Sequence, residues 1–255
     1  PLLNHITNFV VMNDTANLTL HLGALPVMAH AKEEMEEMVA MAGSLILNPG
    51  TLNTEWVESM NIAGKKANSL NIPIVLDPVG AGATTYRTKT NMDFLQNLHI
   101  AVLRGNSGEI GALSGAGGKV KGVESVEGVR NPELVAQKMA KEYNNVVVIT
   151  GKRDIIASDK DLYYVDNGHE LLSTITGTGC MSTTMIGAFS AVEKDYALAS
   201  AAALATFGLA AEIAAKKSNG PASFKVALLD SVYNLLPEQV EEGAKIIQVR
   251  SDSER

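Results

Sequence analysis

The feature of this sequence that most constrains its fold is a repeated alternation of short apolar runs with helical patterns. The runs are rich in β-branched residues and show no polar–apolar alternation, which is typical of strands buried on both faces. They are Leu25–Met28, Ser44–Leu47, Ile72–Leu76, Ile100–Leu103 and Val146–Ile149. Because helices that connect parallel strands cover the faces of the sheet, this order predicts a three-layer α/β/α fold with a mostly parallel central sheet.

Helical patterns occupy the segments between these runs. Apolar residues recur at helical spacing from Met35 to Ala42 and from Trp56 to Ala67, and Asn53 or Thr54 is placed to cap the second helix. Asp154–Asp166 looks instead like a short hairpin around a charged turn. From Cys180 onward helical patterns dominate the sequence.

Composition limits the class of protein. With 255 residues, 46% of them hydrophobic and 19% charged, we expect a single domain over residues 1–255 and not a disordered chain. One cysteine excludes a disulfide framework and suggests a reducing compartment. The 21 Lys and Arg residues against 28 Asp and Glu residues give a net charge of −7, so no nucleic-acid partner is expected.

No secretory signal and no convincing membrane span is visible. The best candidate span is the uncharged segment Tyr196–Ala211, which is mostly alanine, whereas a membrane helix needs roughly 20 strongly apolar residues. We therefore predict a core helix, no membrane partner, and a soluble, cytoplasmic protein.

Polar residues and glycines follow most of the predicted strands. In open parallel sheets the ligand lies beyond the carboxyl ends of the strands. Any single glycine here is explained by an ordinary turn, but four such strand ends in succession indicate a site. The ends are Asn48-Pro49-Gly50, Asp77-Pro78-Val79-Gly80, Arg104-Gly105-Asn106 and Thr150-Gly151. We expect Asp77, Arg104, Asn106 and Thr150 to converge on one edge of the sheet.

Asn106 and Glu109 form an Asn-x-x-Glu motif at a predicted helix start. This spacing places both side chains on one face of the first turn, where a carboxylate can hold Mg²⁺ through water, and Asp77 could supply a second carboxylate. The alternative is that Glu109 only complements the helix dipole.

The segment Thr176-Gly177-Thr178-Gly179-Cys180 precedes another helical pattern. A Gly-x-Gly sequence before a helix lets successive backbone N–H groups form an anion-binding nest. Cys180 is expected at the helix N-terminus, where the thiolate is favoured. An ordinary glycine-rich turn with a buried cysteine explains the segment equally well.

Competing motifs are weaker. Gly117–Val120 lacks the upstream glycine and the following Ser or Thr of a P-loop. Gly80–Ala83 follows a strand, but no helical pattern is evident after it, so it is a poor dinucleotide fingerprint. The five histidines show no metal-ligand spacing.

Taken in order, these motifs resemble those of the hydroxyethylthiazole kinase family within the ribokinase-like superfamily, and the resemblance covers nearly the whole chain. It is carried by Ile6-Thr7-Asn8, Gly23–Met28, Leu76–Ala83, Arg104–Glu109 and Thr176–Cys180. It implies transfer of a phosphoryl group from ATP to the primary hydroxyl of 4-methyl-5-(2-hydroxyethyl)thiazole, in thiamine diphosphate biosynthesis or salvage.

The resemblance also implies a role for each matching residue. Met28 would contact the thiazole, with Asn8 nearby, and Gly177 would lie near the hydroxyl. Asp77 and Glu109 would organise Mg²⁺. The residues implied at ATP are Arg104, Thr150, Asn106, Thr178 and Gly179. Cys180 stands where most ribokinase-like enzymes have an aspartate base, so it would orient or only weakly deprotonate the hydroxyl.

The resemblance further implies a homotrimer with sites between subunits, in which Asn8 and Met28 complete a neighbour's pocket. Four leucines offer apolar surface for such an interface or else pack in the core: Leu18, Leu20, Leu22 and Leu25. Two other functions remain open. One is a transferase with Cys180 as nucleophile and His169 as its base, and the other is a non-catalytic nucleotide-binding regulator.

Overall fold

The computed structural model describes residues 1–115, 119–121, 124–127 and 129–249, and a nine-stranded sheet lies at its centre. The described residues form eleven strands, nine in this sheet and two in a separate pair. They are β1 (Leu2–Ile6), β2 (Leu25–Val27), β3 (Ser44–Leu47), β4 (Ile74–Leu76), β5 (Val102–Asn106), β6 (Lys119–Lys121), β7 (Glu124–Glu127), β8 (Val146–Thr150), β9 (Asp154–Ala157), β10 (Leu162–Val165) and β11 (Ile246–Val249). The sheet order is β11-β10-β9-β8-β5-β4-β3-β1-β2, and β6 and β7 form a separate pair.

The sheet is mostly parallel, as the alternation predicts. All pairings from β2 across to β8 are parallel, whereas the three pairings from β8 across to β11 are antiparallel. The predicted hairpin is confirmed as β9 and β10. The carboxyl ends of β1, β3, β4, β5 and β8 therefore share one edge of the sheet.

Ten α-helices accompany the sheet in the part of the chain that the structure describes. They are α1 (Met12–His21), α2 (Met35–Ala40), α3 (Thr54–Ser69), α4 (Thr85–Asn97), α5 (Ser107–Ser114), α6 (Pro132–Tyr143), α7 (Thr178–Ser190), α8 (Tyr196–Ala215), α9 (Pro221–Asn234) and α10 (Pro237–Gly243). A 3-10 helix covers Glu170–Thr174. Asn53 caps α3 through a bond from Trp56 N–H, as predicted.

Two hydrophobic cores lie on opposite faces of the sheet and complete the three layers. One joins the sheet to α1, α7, α8 and α9, with Leu18, Met181 and Phe224 fully buried. The other joins it to helices α2 to α6, with Met60 and Phe94 fully buried. The predicted α/β/α architecture is confirmed.

Helix α8 is the only described helix long and apolar enough to cross a membrane by composition, and 72% of its apolar window is buried. It packs between α7 and α9 in the first core. The interpretation of this alanine-rich segment as a core helix is confirmed.

The sequence patterns do not predict two of the elements, β1 and α4. β1 contains Asn4 and His5, which are buried polar residues, so its sequence does not look like a buried strand. The expectation of no helix after Gly80–Ala83 is wrong, because α4 begins at Thr85 after a cap by Thr84. Helix α4 is mostly polar, which leaves its periodicity weak.

Candidate active site

Polar side chains from four neighbouring strands meet at the carboxyl edge of the sheet. Asn8 follows β1, Asn48 follows β3, Asp77 follows β4, and Arg104 and Asn106 lie in β5. All of them except Asn48 line a cavity of about 240 Å³, together with the start of α7. Its lining contains most of the predicted site residues: Asn8, Asp77, Arg104, Asn106, Glu109, Gly177, Gly179 and Cys180. The predicted convergence of Asp77, Arg104, Asn106 and Thr150 on one edge of the sheet is confirmed, and Thr150 reaches this edge at the end of β8.

The carboxylate of Asp77 is buried and held from three sides. Its Oδ2 accepts hydrogen bonds from Asn48 Nδ2 at 3.0 Å and from Thr183 Oγ1 at 2.9 Å. Its Oδ1 lies 3.7 Å from Nη1 of Arg104. Burial raises the pKa of Asp77, while Arg104 and these hydrogen bonds oppose that rise.

Glu109 both caps its helix and reaches the neighbouring loop. Its Oε2 accepts from Asn106 N–H at 2.9 Å, while Asn106 Oδ1 accepts from Glu109 N–H in return. Its Oε1 accepts from Gly80 N–H at 2.9 Å. Burial, then the charge of Asp77, raise the pKa of Glu109 to about 7. The capping box shows the role of Glu109 at the helix start, and its carboxylate also lies close enough to Asp77 for the two charges to interact.

The donor set suits a hydrated divalent cation better than a metal cage made by protein. Asp77 and Glu109 are two buried carboxylates that repel each other. Each oxygen of Glu109 already accepts a backbone N–H, and the described residues contain no cluster of three His, Cys, Asp or Glu side chains able to hold a metal. Mg²⁺ characteristically keeps several waters and binds through one or two carboxylates plus substrate phosphates.

Arg104 projects toward the start of α7. Its Nη2 donates to Thr150 Oγ1 at 2.6 Å, so the neighbouring strand β8 orients the guanidinium. A Cβ at Gly179 would lie 2.9 Å from Nη1, so a larger residue at that position would displace the guanidinium. The guanidinium and the N-terminus of α7 thus present positive charge and N–H donors to the same cavity.

The start of α7 is a tight turn against α1. Gly177 is its N-cap with φ of +89°, and a Cβ there would lie 2.6 Å from Cγ1 of Val11. Cys180 is the third residue of α7, and its Sγ accepts from Asn48 Nδ2 at 3.1 Å and from Asn8 Nδ2 at 3.6 Å.

The expectation that Cys180 favours the thiolate is wrong. Burial, reinforced by the negative charge of Asp77, raises the pKa of the Cys180 thiol to about 12. These effects outweigh the helix N-terminus and the two amide donors. The thiol is therefore protonated at neutral pH.

Three predicted residues are not in the cavity lining. Met28 follows the edge strand β2, and Thr150 contacts the cavity only through Arg104. The hydroxyl of Thr178 donates to the carbonyl of Leu172, which leaves only its backbone N–H for a phosphate. The structure also keeps His169 out of the lining, and its Nδ1 accepts from Leu171 N–H, so the cysteine nucleophile lacks its nominated base.

Sequence patterns missed three residues that support the site. Asn48 and Thr183, which do not line the cavity, donate hydrogen bonds to the carboxylate of Asp77. Arg87 on α4 donates to the carbonyls of Pro49, Gly50 and Val79, which belong to the loops after β3 and β4. Asn48 begins one of the strand-end motifs, so the sequence pattern could have identified it as a site residue. No sequence pattern indicated that Thr183 or Arg87 supports the site.

An α/β/α fold whose mostly parallel sheet carries an arginine, two buried carboxylates and a glycine-rich helix start at one edge defines a small-molecule kinase of the ribokinase-like class. The fold is shared with the Staphylococcus aureus pyridoxal kinase solved with AMP-PCP and pyridoxal, at a TM-score of 0.64 and 17% identity, covering 98% of each chain. It is also shared with a ribokinase-like superfamily protein from Enterococcus faecalis V583, at a TM-score of 0.65 and 13% identity. At these identities the likeness shows the fold alone.

Within that class the chain belongs to the hydroxyethylthiazole kinase family, whose model matches residues 1–238. It is 63% identical over 248 residues to the hydroxyethylthiazole kinase of Roseiflexus sp. strain RS-1, covering 97% of this chain and 92% of that protein. The structure of hydroxyethylthiazole kinase from Pyrococcus horikoshii OT3 superposes with a TM-score of 0.89 at 45% identity, covering 98% of this chain and 94% of that one.

Proposed function

We propose that this chain transfers the γ-phosphoryl group of ATP to the primary hydroxyl of 4-methyl-5-(2-hydroxyethyl)thiazole, giving the thiazole phosphate used in thiamine diphosphate synthesis. Family membership supplies the reaction and the acceptor. The observation that carries the chemistry is the shared cavity of Arg104, Asp77, Glu109 and the α7 N-terminus. Residues 1–255 act as one kinase domain, in the cytoplasm where ATP is available.

The phosphate oxygens bind at the start of α7. Backbone N–H groups of the first helical turn have no intrahelical partner, so those of Thr178 and Gly179 are available to an anion. Arg104 lies beside Gly179 and adds a full positive charge. Phosphoryl transfer passes through a loose transition state, so such positioning and charge neutralisation supply most of the catalysis.

The two carboxylates would hold the divalent metal that this kinase reaction requires, and we assign this metal as Mg²⁺. When bound, Mg²⁺ supplies positive charge against the phosphate oxygens. Asp77 and Glu109 would hold it through water, because both oxygens of Glu109 already accept backbone hydrogen bonds. Neutralisation by the ion also relieves the repulsion between the two carboxylates.

Cys180 orients the acceptor hydroxyl. Its thiol is protonated at neutral pH, so it serves as a hydrogen-bonding group and at most a weak base. A loose transition state places little demand on a strong base, because the hydroxyl proton is lost late. Val10, Val11 and Val79 add an apolar part to the lining that suits the thiazole ring.

We further propose a homotrimer in which Met28 of one subunit completes a neighbour's cavity. Met28 is absent from the lining of its own chain's cavity and follows an edge strand. Asn8, in contrast, donates to Sγ of Cys180 of its own chain, so the proposal of a shared site rests on Met28. Leu20 and Leu25 are half-exposed or more and remain available to an interface, whereas Leu18 is fully buried in the core and Leu22 packs partly against it.

The assembly is tested by light scattering across a dilution series with activity measured in parallel. We expect a trimer mass and a loss of activity on dissociation. Met28→Ala should raise KM for the alcohol more than KM for ATP. A fully active species at monomer mass would contradict the shared site.

The reaction is tested by coupled ADP release over four alcohols: hydroxyethylthiazole, hydroxymethylpyrimidine, pyridoxal and ribose. We expect the highest kcat/KM with hydroxyethylthiazole and no stimulation by 4-methyl-5-ethylthiazole, which lacks the hydroxyl. ATP binding without turnover of any of the four would support the regulator instead. A covalent adduct on Cys180 with no ADP release would support the transferase.

A further inference from the structure

We infer that Asn48 is a positioning residue that fixes the sulfur of Cys180 relative to the carboxylate of Asp77. The inference rests on the proposed function and adds a residue to its machinery. Asn48 directly follows β3, is 1% exposed and is absent from the cavity lining. It therefore acts on the reaction through its neighbours and not by touching substrate.

The amide of Asn48 makes four hydrogen bonds, which uses both of its N–H donors and both acceptor positions of its oxygen. Nδ2 donates to Oδ2 of Asp77 at 3.0 Å and to Sγ of Cys180 at 3.1 Å. Oδ1 accepts from Nδ2 of Asn8 at 2.9 Å and from the N–H of Gly50 at 3.0 Å. A side chain saturated in this way has no capacity left for a ligand.

The backbone determines which way this amide points. The N–H of Gly50 can only donate, so it requires the oxygen of Asn48 on its side and turns both amide protons toward Asp77 and Cys180. Gly50 also packs closely here, because a Cβ would lie 2.9 Å from Nδ2 of Asn8 and 3.0 Å from Oδ1 of Asn48. The orientation is thus set by the loop after β3.

One nitrogen therefore sets the relative position of two groups from different elements. Asp77 directly follows β4 and Cys180 lies on α7, and they are 29 and 132 residues from Asn48 in sequence. The carboxylate belongs to the metal–phosphate side of the cavity, and the thiol belongs to the acceptor side. Because a displacement of about 1 Å can cost roughly 10²-fold in rate, the bridge bears directly on the alignment of hydroxyl and phosphate.

A double-mutant cycle tests the bridge. Asn48→Ala should lower kcat about 10²-fold, while KM for ATP and for the alcohol changes less than about threefold. In a Cys180→Ala background the same substitution should lower kcat less than about tenfold, because one of the two groups that Asn48 positions is already gone. A purely structural role would not couple the two substitutions.

The matched control is Asn145→Ala at the opposite end of β8, where a buried asparagine has no described side-chain partner, and wild-type kcat is expected. Thermal unfolding checks that each variant folds, and Asn48→Ser makes the same comparison if Asn48→Ala does not fold. The inference is overturned if folded Asn48 variants retain wild-type kcat, or if the losses from Asn48→Ala and Cys180→Ala multiply. A wild-type enzyme that phosphorylates no alcohol would instead overturn the proposed function.

Discussion

Oγ1 of Thr183 donates a 2.9 Å hydrogen bond to Oδ2 of Asp77 and so joins α7 to the carboxyl end of β4. Thr183 follows Cys180 by three residues, so both project from one face of the helix. The helix that we propose to bind phosphate through its N–H groups is thereby joined to the carboxylate that we propose to hold Mg²⁺. This hydrogen bond fixes the position of the α7 N-terminus relative to Asp77 on the other side of the cavity.

Thr183→Val removes that donor while keeping nearly the same shape. We expect kcat to fall about tenfold, because a hydrogen bond to a charged group contributes about 1.5–3 kcal/mol and its loss also raises the pKa of Asp77 further. Thr183→Ser should keep most of the activity. Equal kcat in the Val and Ser variants would show that the hydroxyl is not needed.

Asp77→Asn and Glu109→Gln should each lower kcat about 10²-fold or more, the scale of losing one preorganised electrostatic contact. EDTA should abolish wild-type turnover, and added Mg²⁺ should restore it. Glu212→Gln is the matched control, because this carboxylate bonds to Lys245 outside the cavity lining. Wild-type turnover in EDTA, or in either cavity variant, would contradict the metal role.

Metal-free protein should become less stable as the pH rises from about 4.5 to about 7. The pKa of Glu109 is raised from 4.5 to about 7, so over this range the folded state holds a proton that the unfolded state has lost. The free energy of unfolding then falls by up to about 1.4 kcal/mol per pH unit from this group. Urea unfolding in EDTA at a series of pH values measures this change in the free energy of unfolding.

Glu109→Gln is the comparison for that measurement, because it removes the titrating group while keeping a similar shape. The slope between pH 4.5 and 7 should be smaller in this variant, and saturating Mg²⁺ should flatten the slope in the wild type, since the cation favours the ionised carboxylate. Identical slopes in the wild type and Glu109→Gln would exclude Glu109 as its source.

How far the sequence predicts this site depends on what each residue needs from the fold. Asp77, Arg104 and Asn106 could be placed together because strand order alone brings their strand ends to one edge. The ionisation of Cys180 could not be predicted, since it depends on burial and on Asp77, which only tertiary packing brings close. Contacts such as Thr183 to Asp77, separated by 106 residues, leave no local signal.

Cys180 should resist alkylation at neutral pH. With its pKa raised to about 12, the thiolate is scarce, so iodoacetamide should react more than about 10²-fold slower than with a free thiol of pKa ~8.5. The chain has one cysteine, so intact mass reports this site alone. Cys180→Ser should retain measurable kinase activity. Fast alkylation together with complete loss of activity in Cys180→Ser would favour the nucleophile.

Arg87 connects the two loops that carry Asn48 and Asp77. Its Nη2 donates to the carbonyl of Gly50 at 2.8 Å, and its Nη1 donates to that of Val79 at 3.0 Å. A Cβ at Gly80 would lie 2.8 Å from Cδ of Arg87, so the arginine also packs on the loop whose N–H holds Glu109. Loss of these bonds should loosen both loops around the cavity.

Arg87→Met, which keeps the apolar stem, should therefore raise the Mg²⁺ concentration needed for half-maximal activity and lower kcat about tenfold or more. Arg87→Lys should recover only part of kcat, because an ammonium group cannot reproduce the planar fork that reaches two loops. Arg153→Met is the control, since this exposed arginine pairs with Asp166 outside the cavity lining. An unchanged Mg²⁺ dependence and kcat in folded Arg87→Met would show that the two loops hold their positions without the arginine.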